Sequence, residues 1–416
     1  MEVVVLPSPV WDTDIKLSST LLSSKRGNWH LLTPPSSPQI LRKSWLHYYW
    51  IKARMHSLKS CFSVQVRSLR SRKTYGHYAD LRSGSEAVES ALKLARQYHL
   101  CKGDAKRIHF IGRQYSYHGN TLGALAVGFN PTRRTPFEPM LASDTFHHVS
   151  RCFFTQDAHP GESEATYVQR LLTEYEEMFL HLGPETVAAV ILEPVVGATL
   201  GTVPAAAGYL KGVRELCNKY GALLIFDEVM CGMGRLGTFH AWQSLGNIAP
   251  DLQTIGKGLA AGYQPISAIL IGPTVHEALK HAGPTNPFVS GHTYQGHAIG
   301  CAAALATQRV VIQDDLLVNV KQMSKRLRHT LQELTPCLKE VRGLGLFLTV
   351  EFKEPSGRRL AIEVAAECMK HGVAIYLCSP AVDAVMFAPP FIITEEEVDI
   401  LTSVFVRAVQ TTLAAL

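Results

Sequence analysis

Short apolar runs alternate with segments of helical periodicity along most of this chain. The run Thr186–Leu192 ends at Glu193, the segment Ala206–Tyr220 has the spacing of a helix with one apolar face, and a second run ends at Asp227. Unbroken apolar runs of this length are typical of strands buried on both faces. The strand, helix, strand alternation therefore predicts a parallel sheet with right-handed crossovers.

The same pattern continues toward the C-terminus and predicts a larger and a smaller domain. We expect an α/β large domain over residues 81–310, with a mostly parallel central sheet between helices, and a smaller α+β domain over 311–416. The predicted elements, in chain order, are strand Arg107–Gly112, helix Ala165–Leu182, strand Ser267–Ile271, a bridging helix from about Ile299 to Leu334, a strand to Phe352, helix Leu360–His371, strands near Ala374 and Val385, and a closing helix from Glu395.

Residues 1–80 differ from the rest in composition. They are rich in serine, contain proline clusters, and show one short segment, Trp45–Arg54, that fits an amphipathic helix. This atypical N-terminal segment is expected to be partly disordered. Its basic, serine-rich character suggests an organelle transit peptide, but Glu2, Asp12 and Asp14 argue against one.

Composition limits the classes of function. The net charge is +6, but residues 1–80 hold 12 basic and 4 acidic side chains, so the remainder carries 29 basic against 31 acidic. The body of the chain is thus nearly neutral, which does not favour a nucleic-acid partner. Nine cysteines show neither metal-ligand spacing nor a dense disulfide framework, so we expect no metal site and reduced thiols in the cytosol. Charged residues interrupt every long apolar run, so we expect no membrane span.

Asp227 and Lys257 are the strongest candidates for chemistry. Asp227 ends an apolar run, at the edge of a parallel sheet where open α/β folds bind ligands. Lys257 follows a second strand-like run and lies between Gly256 and Gly258, so a bulky group can approach it closely. A lysine amine forms a Schiff base with an aldehyde cofactor, and an aspartate beside a pyridinium nitrogen keeps such a ring protonated. The pair suits a pyridoxal phosphate enzyme.

A second candidate is the start of the helix that follows Ser83. Gly84 and Ser85 form a small turn at its N-terminus, where free backbone N–H groups attract phosphate. Taken alone, this turn is better explained by a serine N-cap.

Together these segments resemble class III (omega-type) aminotransferases, of the aspartate aminotransferase fold type I. The resemblance rests on Ser83–Glu86, Ser116–Thr121, Gly221–Arg235 and Pro250–Gly262, and extends to about Thr394. It implies pyridoxal 5'-phosphate as cofactor, Lys257 and Asp227 as catalytic residues, and the following residues as cofactor contacts: Gly84, Ser85, Tyr117, His118, Gly119, Glu193, Asp227, Val229, Lys257 and Thr293.

Individual roles follow from the same resemblance. Tyr117 and Val229 would lie on opposite faces of the cofactor ring. Glu193 would contact the ring or support the site. For His118, a hydrogen-bonded structural role is the alternative to a contact with the cofactor. Thr293 would reach the phosphate bound by the other subunit, which implies a homodimer with shared sites.

The implied function is transfer of an amino group from an amine or amino acid to an oxo acid or aldehyde. The residues between Tyr376 and Pro390 include no Arg or Lys, although relatives often carry there an arginine that receives the substrate carboxylate. The resemblance also implies an N-terminal lobe before Ser83 that builds part of the substrate pocket, and residues 1–80 do not resemble it; a misassigned gene start and a genuine truncation are both open explanations. Three alternatives for the function stay open: a decarboxylase, an aminomutase, and a non-catalytic homologue with a defective N-terminal lobe.

Overall fold

The computed structural model describes residues 77–81, 83–282, 289–334, 338–353 and 358–414. The helix predicted over Trp45–Arg54 and the possible transit peptide lie outside these ranges. The thirteen strands within them are β1 His77–Leu81, β2 His109–Arg113, β3 Phe146–Val149, β4 Val187–Leu192, β5 Val195–Val196, β6 Val203–Pro204, β7 Leu223–Asp227, β8 Leu252–Ile255, β9 Ser267–Ile271, β10 Leu338–Leu344, β11 Phe347–Phe352, β12 Tyr376–Leu377 and β13 Ala384–Phe387.

Helices surround these strands in the order expected for an α/β chain. The eleven α-helices of the described ranges are α1 Gly84–Cys101, α2 Leu122–Val127, α3 Pro131–Arg134, α4 Phe154–Asp157, α5 Glu164–Leu182, α6 Tyr209–Tyr220, α7 Pro273–His281, α8 Ala298–Gln313, α9 Leu316–Glu333, α10 Leu360–Lys370 and α11 Glu395–Ala414.

The central sheet has seven strands in the order β1-β9-β8-β7-β4-β2-β3. The pairings β8–β7, β7–β4, β4–β2 and β2–β3 are parallel, and β9 runs antiparallel to both of its neighbours. This mostly parallel sheet confirms the predicted α/β fold class. All six residues of β4 are buried, as its unbroken apolar run predicts.

Helix α1 packs across the sheet and carries much of its core. Its buried residues include Val88, Ala91 and Leu92, which form one cluster with Ile191 and Ile225 of the central strands. Ser83 caps the helix: its hydroxyl accepts a hydrogen bond from the Glu86 amide, while the Glu86 carboxylate accepts one from the Ser83 amide. The first turn of α1 is thereby fixed against the sheet.

A second sheet of four antiparallel strands, β10-β11-β13-β12, forms from residues after 337. Arg235, which follows β7 in the central sheet, donates to the carbonyl oxygens of Leu346 at 3.2 Å and Pro389 at 2.6 Å. Its guanidinium also lies 4.6 Å from the centre of the Phe391 ring. Arg235 thus connects the segment after Asp227 to the second sheet. The boundaries 81–310 and 311–416 stay a prediction.

Two predicted helices differ from the observed ones. The bridging helix predicted from Ile299 to Leu334 is two helices, because Asp315 has a φ of +49°, which interrupts helical hydrogen bonding between α8 and α9. The helix predicted from Ala206 begins at Tyr209, since Gly208 precedes it with a φ of +85°. Apolar periodicity alone does not reveal such breaks in the backbone.

Across the described ranges, no helix is long and apolar enough to cross a lipid bilayer. The cysteines described there are all free thiols: Cys101, Cys152, Cys217, Cys231, Cys301, Cys368 and Cys378.

Candidate active site

Asp227 is the last residue of β7, at the carboxyl edge of the parallel strands. Its Cα lies opposite that of Thr254 of β8, and the Thr254 hydroxyl donates to Asp227 Oδ1 at 3.0 Å. The Val229 amide donates to the same oxygen at 3.1 Å. Asp227 is only 5% exposed. These donors fix the carboxylate within the ligand-binding edge that the sequence predicts.

His118 completes the hydrogen bonding of Asp227. Its Nδ1 donates to Asp227 Oδ2 at 2.8 Å, and the imidazole is buried. The other ring nitrogen, Nε2, is buried without a hydrogen-bond partner among the described residues. A buried, unpaired ring nitrogen is costly unless another group satisfies it. His118 is thus hydrogen-bonded to Asp227 through one ring nitrogen, and its other ring nitrogen is open toward a ligand.

Lys257 begins a short 3₁₀ turn directly after β8 and Gly256. Its backbone φ is +37°, a left-handed conformation that is unusual for a residue with a Cβ and that is found at functional sites. The side chain is exposed to solvent, although protein atoms surround most of it. Burial lowers its pKa, and the nearby charges of Asp227 and Glu193 oppose that shift.

Glu193 positions the segment that carries Tyr117. The Glu193 carboxylate accepts hydrogen bonds from the Tyr117 amide at 3.1 Å and from the Gly197 amide at 2.9 Å. The buried Arg113 donates to the Glu193 carbonyl oxygen at 2.6 Å. Burial raises the pKa of Glu193. Both carboxylate oxygens therefore bind backbone amides, which favours the supporting role over a direct ring contact.

The predicted phosphate turn lies against the loop after β2. Ser85 Oγ accepts a hydrogen bond from the Asn120 amide at 2.9 Å. Within the described residues, the amides of Gly84 and Ser85 have no acceptor, as is usual in the first turn of a helix. The N-terminus of α1 is thus available to an anion.

Gly119 makes the close approach between this loop and α1 possible. Its φ is +138°, and an added Cβ would lie 2.6 Å from Ser85 Oγ and 2.8 Å from Ser85 Cα. We expect Gly119→Ala to lower the free energy of unfolding by roughly 2–4 kcal/mol, from overpacking and an unfavourable φ together. Cofactor affinity should fall too, because Ser85 must move.

Gly103→Ala is the matched control for that variant. Gly103 also has a positive φ, +82°, but none of the described atoms lies within 4 Å of the place that an added Cβ would take, so only the backbone cost of about 1 kcal/mol applies. Thermal unfolding and cofactor titration measure both variants. Equal losses in the two would contradict the steric role of Gly119.

Val229 fits between two glycines at the cleft. A Cβ on Gly84 would lie 2.7 Å from Val229 Cγ1, and one on Gly256 would lie 3.3 Å from the same atom. Val229 therefore brings the end of β7 against both the α1 turn and the residue before Lys257.

Thr293 does not join this cluster through a hydrogen bond. Its side chain is exposed, and among the described residues no hydrogen bond connects it to Gly84, Ser85 or Lys257. Its role at a neighbouring subunit stays a prediction.

A buried hydrogen-bond network lies behind Asp227, and the pattern of residue types did not predict it. The Glu228 carboxylate accepts hydrogen bonds from the amides of Ala241 at 2.7 Å and Trp242 at 2.9 Å, and from Gln253 Nε2 at 2.8 Å. Gln253 also contacts His240 Nδ1 at 2.9 Å. Burial raises the pKa of Glu228 to about 8. An acidic residue directly after Asp227 was visible in the sequence, but its partners were not.

The residues present fit the cofactor that the family resemblance implies. The unpaired Nε2 of His118, the free amides at the start of α1 and the accessible amine of Lys257 are open to a ligand. Gly119 lets the loop after β2 lie close against Ser85 at this turn. Asp227 supplies the fixed carboxylate that a protonated ring nitrogen requires, and the α1 turn supplies donors for a phosphate.

Comparison with known proteins supports this interpretation. The profile of the family described as Aminotransferase class-III matches residues 64–409. An aminotransferase of Gibberella zeae is 46% identical over 275 residues, a match that covers 65% of this chain but only 53% of that protein. The chain thus spans about half the length of this relative.

Two further proteins match over most of the chain. Gamma aminobutyrate transaminase 3, chloroplastic, of Solanum lycopersicum is 32% identical over 407 residues, covering 95% of this chain and 76% of that protein. The omega transaminase from Pseudomonas jessenii, in a crystal structure in complex with PMP, has a TM-score of 0.79 at 30% identity, covering 91% of this chain and 86% of that one. With the family profile extending over most of the sequence, the chain belongs to the class III aminotransferases, whose cofactor is pyridoxal 5'-phosphate.

Proposed function

We propose that this chain is a transaminase that moves an amino group from an amine or amino acid donor to an oxo acid or aldehyde acceptor in two half-reactions. The observation that carries the proposal is the joint placement of two residues at one sheet edge: Asp227 ends β7 opposite Thr254 of the neighbouring β8, and Lys257 begins the turn that follows β8 and Gly256. The family match supports the same chemistry.

Bound pyridoxal phosphate supplies an aldehyde that carries the amino group and a ring that delocalises negative charge. The residues of the chain do the rest. Lys257 holds and moves the proton at the substrate carbon, and the lowered pKa of its amine increases the neutral fraction that acts as a base. Asp227, held by Thr254, His118 and the Val229 amide, keeps a negative charge fixed where a protonated ring nitrogen needs it.

The remaining predicted residues position the cofactor. The amides of Gly84 and Ser85 would hold its phosphate, while Tyr117 and Val229 would bound its ring on two sides. The Glu193 carboxylate positions Tyr117 by accepting a hydrogen bond from its backbone amide. Gly119 allows the loop after β2 to lie close to Ser85.

The homodimer belongs to the same proposal. Thr293 has an exposed side chain, as do Tyr294 and Ile299 beside it, at 55% and 61% exposure. An exposed apolar segment next to a residue expected to reach a neighbouring phosphate supports an interface with a second copy. Light scattering of purified protein tests this state, and a monomer that retains full activity would contradict it.

The free cysteines of the described ranges support a reducing compartment such as the cytosol. Imaging of the tagged full-length protein tests this, and accumulation in an organelle would contradict it.

Cofactor spectroscopy combined with product analysis tests the function. Adding an amine donor to the loaded enzyme should shift its visible absorbance, and adding pyruvate or 2-oxoglutarate should restore it. Product analysis should show a new amino acid and no carbon dioxide. Release of carbon dioxide would favour a decarboxylase, and an isomerised amine formed without an oxo acid would favour an aminomutase. No spectral response to any donor would contradict the proposal.

A further inference from the structure

Arg133 lies beside the ring of Tyr117 at the active site. It belongs to the short helix α3, and its guanidinium carbon is 5.2 Å from the centre of the Tyr117 ring. The Arg133 side chain is exposed and that of Tyr117 is half-buried. The positive charge of Arg133 also acts on the Tyr117 hydroxyl, whose pKa burial raises and Arg133 lowers. Arg133 is therefore within reach of a molecule bound next to Tyr117.

Two other arginines, Arg134 and Arg151, have hydrogen-bond partners in the protein, whereas the Arg133 side chain has no hydrogen-bond or ion-pair partner among the described residues and contacts only the Tyr117 ring. Arg134 donates to the carbonyl oxygens of Ala126 at 2.7 Å and Gly128 at 3.0 Å. Arg151 forms a two-point pair with Asp157 at 2.8 Å. In the described part of the chain, no acidic side chain lies within ion-pair distance of Arg133. Its guanidinium donors are thus available to an anion from outside the protein.

An acidic substrate that binds beside Tyr117 would need a positive charge from the protein, because the acidic groups near Tyr117 would repel it. Asp227 and Glu193 both act on Tyr117, so a carboxylate entering this space meets two acidic groups. Arg113 is buried and donates to the Glu193 carbonyl oxygen. The small-sheet side contributes Tyr376, which also acts on Tyr117, and residues 376–390 contain no Arg or Lys. Lys257 also lies near these two acids, but it is the residue that binds the cofactor in the proposed function. Among the charged groups that act on Tyr117, Arg133 is the cation that can offset the repulsion.

We propose that Arg133 is the residue that binds the substrate carboxylate, so that the enzyme prefers donors or acceptors with a carboxylate at one end of the molecule. A guanidinium presents paired N–H donors that match a carboxylate in two hydrogen bonds. This inference rests on the proposed transaminase function. It places the carboxylate receptor on the segment after Tyr117 instead of between the last strands of the small sheet.

Binding is tested first, because it does not depend on turnover. Calorimetric titration of the loaded enzyme with butanoate should give a dissociation constant that rises about 10- to 100-fold in Arg133→Gln. Arg133→Lys keeps the charge but loses the two-point geometry, so it should recover part of the affinity. Lys106→Gln removes one exposed positive charge elsewhere and should bind butanoate as the wild type does.

The half-reactions distinguish the donor from the acceptor as the source of the carboxylate. For donors, 4-aminobutanoate is compared with butylamine, which lacks only the carboxylate, by the rate of the visible absorbance change. For acceptors, 2-oxoglutarate is compared with butanal on the aminated enzyme. Arg133→Gln should lower kcat/KM by about 10- to 100-fold for the acid of at least one pair, and leave its uncharged counterpart within about twofold.

Several outcomes would overturn the inference. One is unchanged or undetectable butanoate binding across the variants, and another is an equal loss for acid and uncharged substrate. Normal melting temperatures of Arg133→Gln and Arg133→Lys exclude misfolding as the cause. A wild-type enzyme that responds to no amine would contradict the proposed function instead, and butanoate affinity would still report on Arg133 separately.

Discussion

Replacing Lys257 with alanine should abolish turnover, with kcat reduced by at least about 10²–10⁴-fold. The amine is a basic group placed at the Asp227 edge, and burial lowers its pKa, which increases the neutral fraction that can accept a proton. The fold should persist, because alanine, like lysine, has a Cβ, and the backbone at this position already adopts a φ of +37° with a Cβ present. Coupled assays of amino-acid formation measure the loss, and the visible absorbance of the bound cofactor should change with it.

Chemical rescue separates a catalytic from a structural role for Lys257. Added methylamine should restore part of the activity of Lys257→Ala, since a free amine can replace the missing base. Lys211→Ala is the control, because Lys211 is an exposed lysine of α6 whose ion pair with Glu215 is 3.8 Å long. Lys257→Ala with activity within about tenfold of the wild type would overturn the assignment.

Asp227→Asn should produce the second-largest loss, about 10²–10⁴-fold in kcat, with a weaker hold on the cofactor. The amide keeps the shape of the carboxylate but not its charge. The NH₂ group of asparagine would face a group that already donates, because Val229 and Thr254 donate to one Asp227 oxygen and His118 donates to the other. The His118 ring can exchange its proton between nitrogens, so the fold should tolerate the change better than the chemistry does.

Steady-state kinetics and cofactor titration test this prediction together. Asp399→Asn is a suitable control, because Asp399 is an exposed acid of α11 paired with Arg326 at 2.6 Å. Its activity should match that of the wild type. If Asp227→Asn bound cofactor and turned over as the wild type does, the fixed carboxylate would not be needed at the ring nitrogen.

Much of the fold was readable from the pattern of apolar positions. The apolar runs before Glu193 and Asp227 are strands β4 and β7, and they pair in parallel as predicted. This success has a simple cause: a strand buried on both faces tolerates few polar residues. The pattern failed at Asp315 and Gly208, where a single backbone angle ends or delays a helix.

The site was predicted in part. From the sequence, Asp227, Lys257 and the Ser83–Ser85 turn were predicted to form one cofactor site. The resemblance to class III aminotransferases is confirmed by the family match. The catalytic and cofactor-binding roles of single residues stay predictions. Thr254 was missed, although the register of two neighbouring parallel strands places it opposite Asp227. Arg133 carried no signal, since a basic residue in a connecting segment is most often solvated.

The sequence by itself determined the order of strands and helices, the family and the cofactor chemistry, because these depend on local residue types and their spacing. Only the tertiary structure decided which side chains meet across long separations. Glu193 holds the Tyr117 amide from 76 positions away, and His118 meets Asp227 across 109. Such contacts depend on how strands pair and loops approach one another, and hydrogen bonds of this kind leave no periodic trace in the chain.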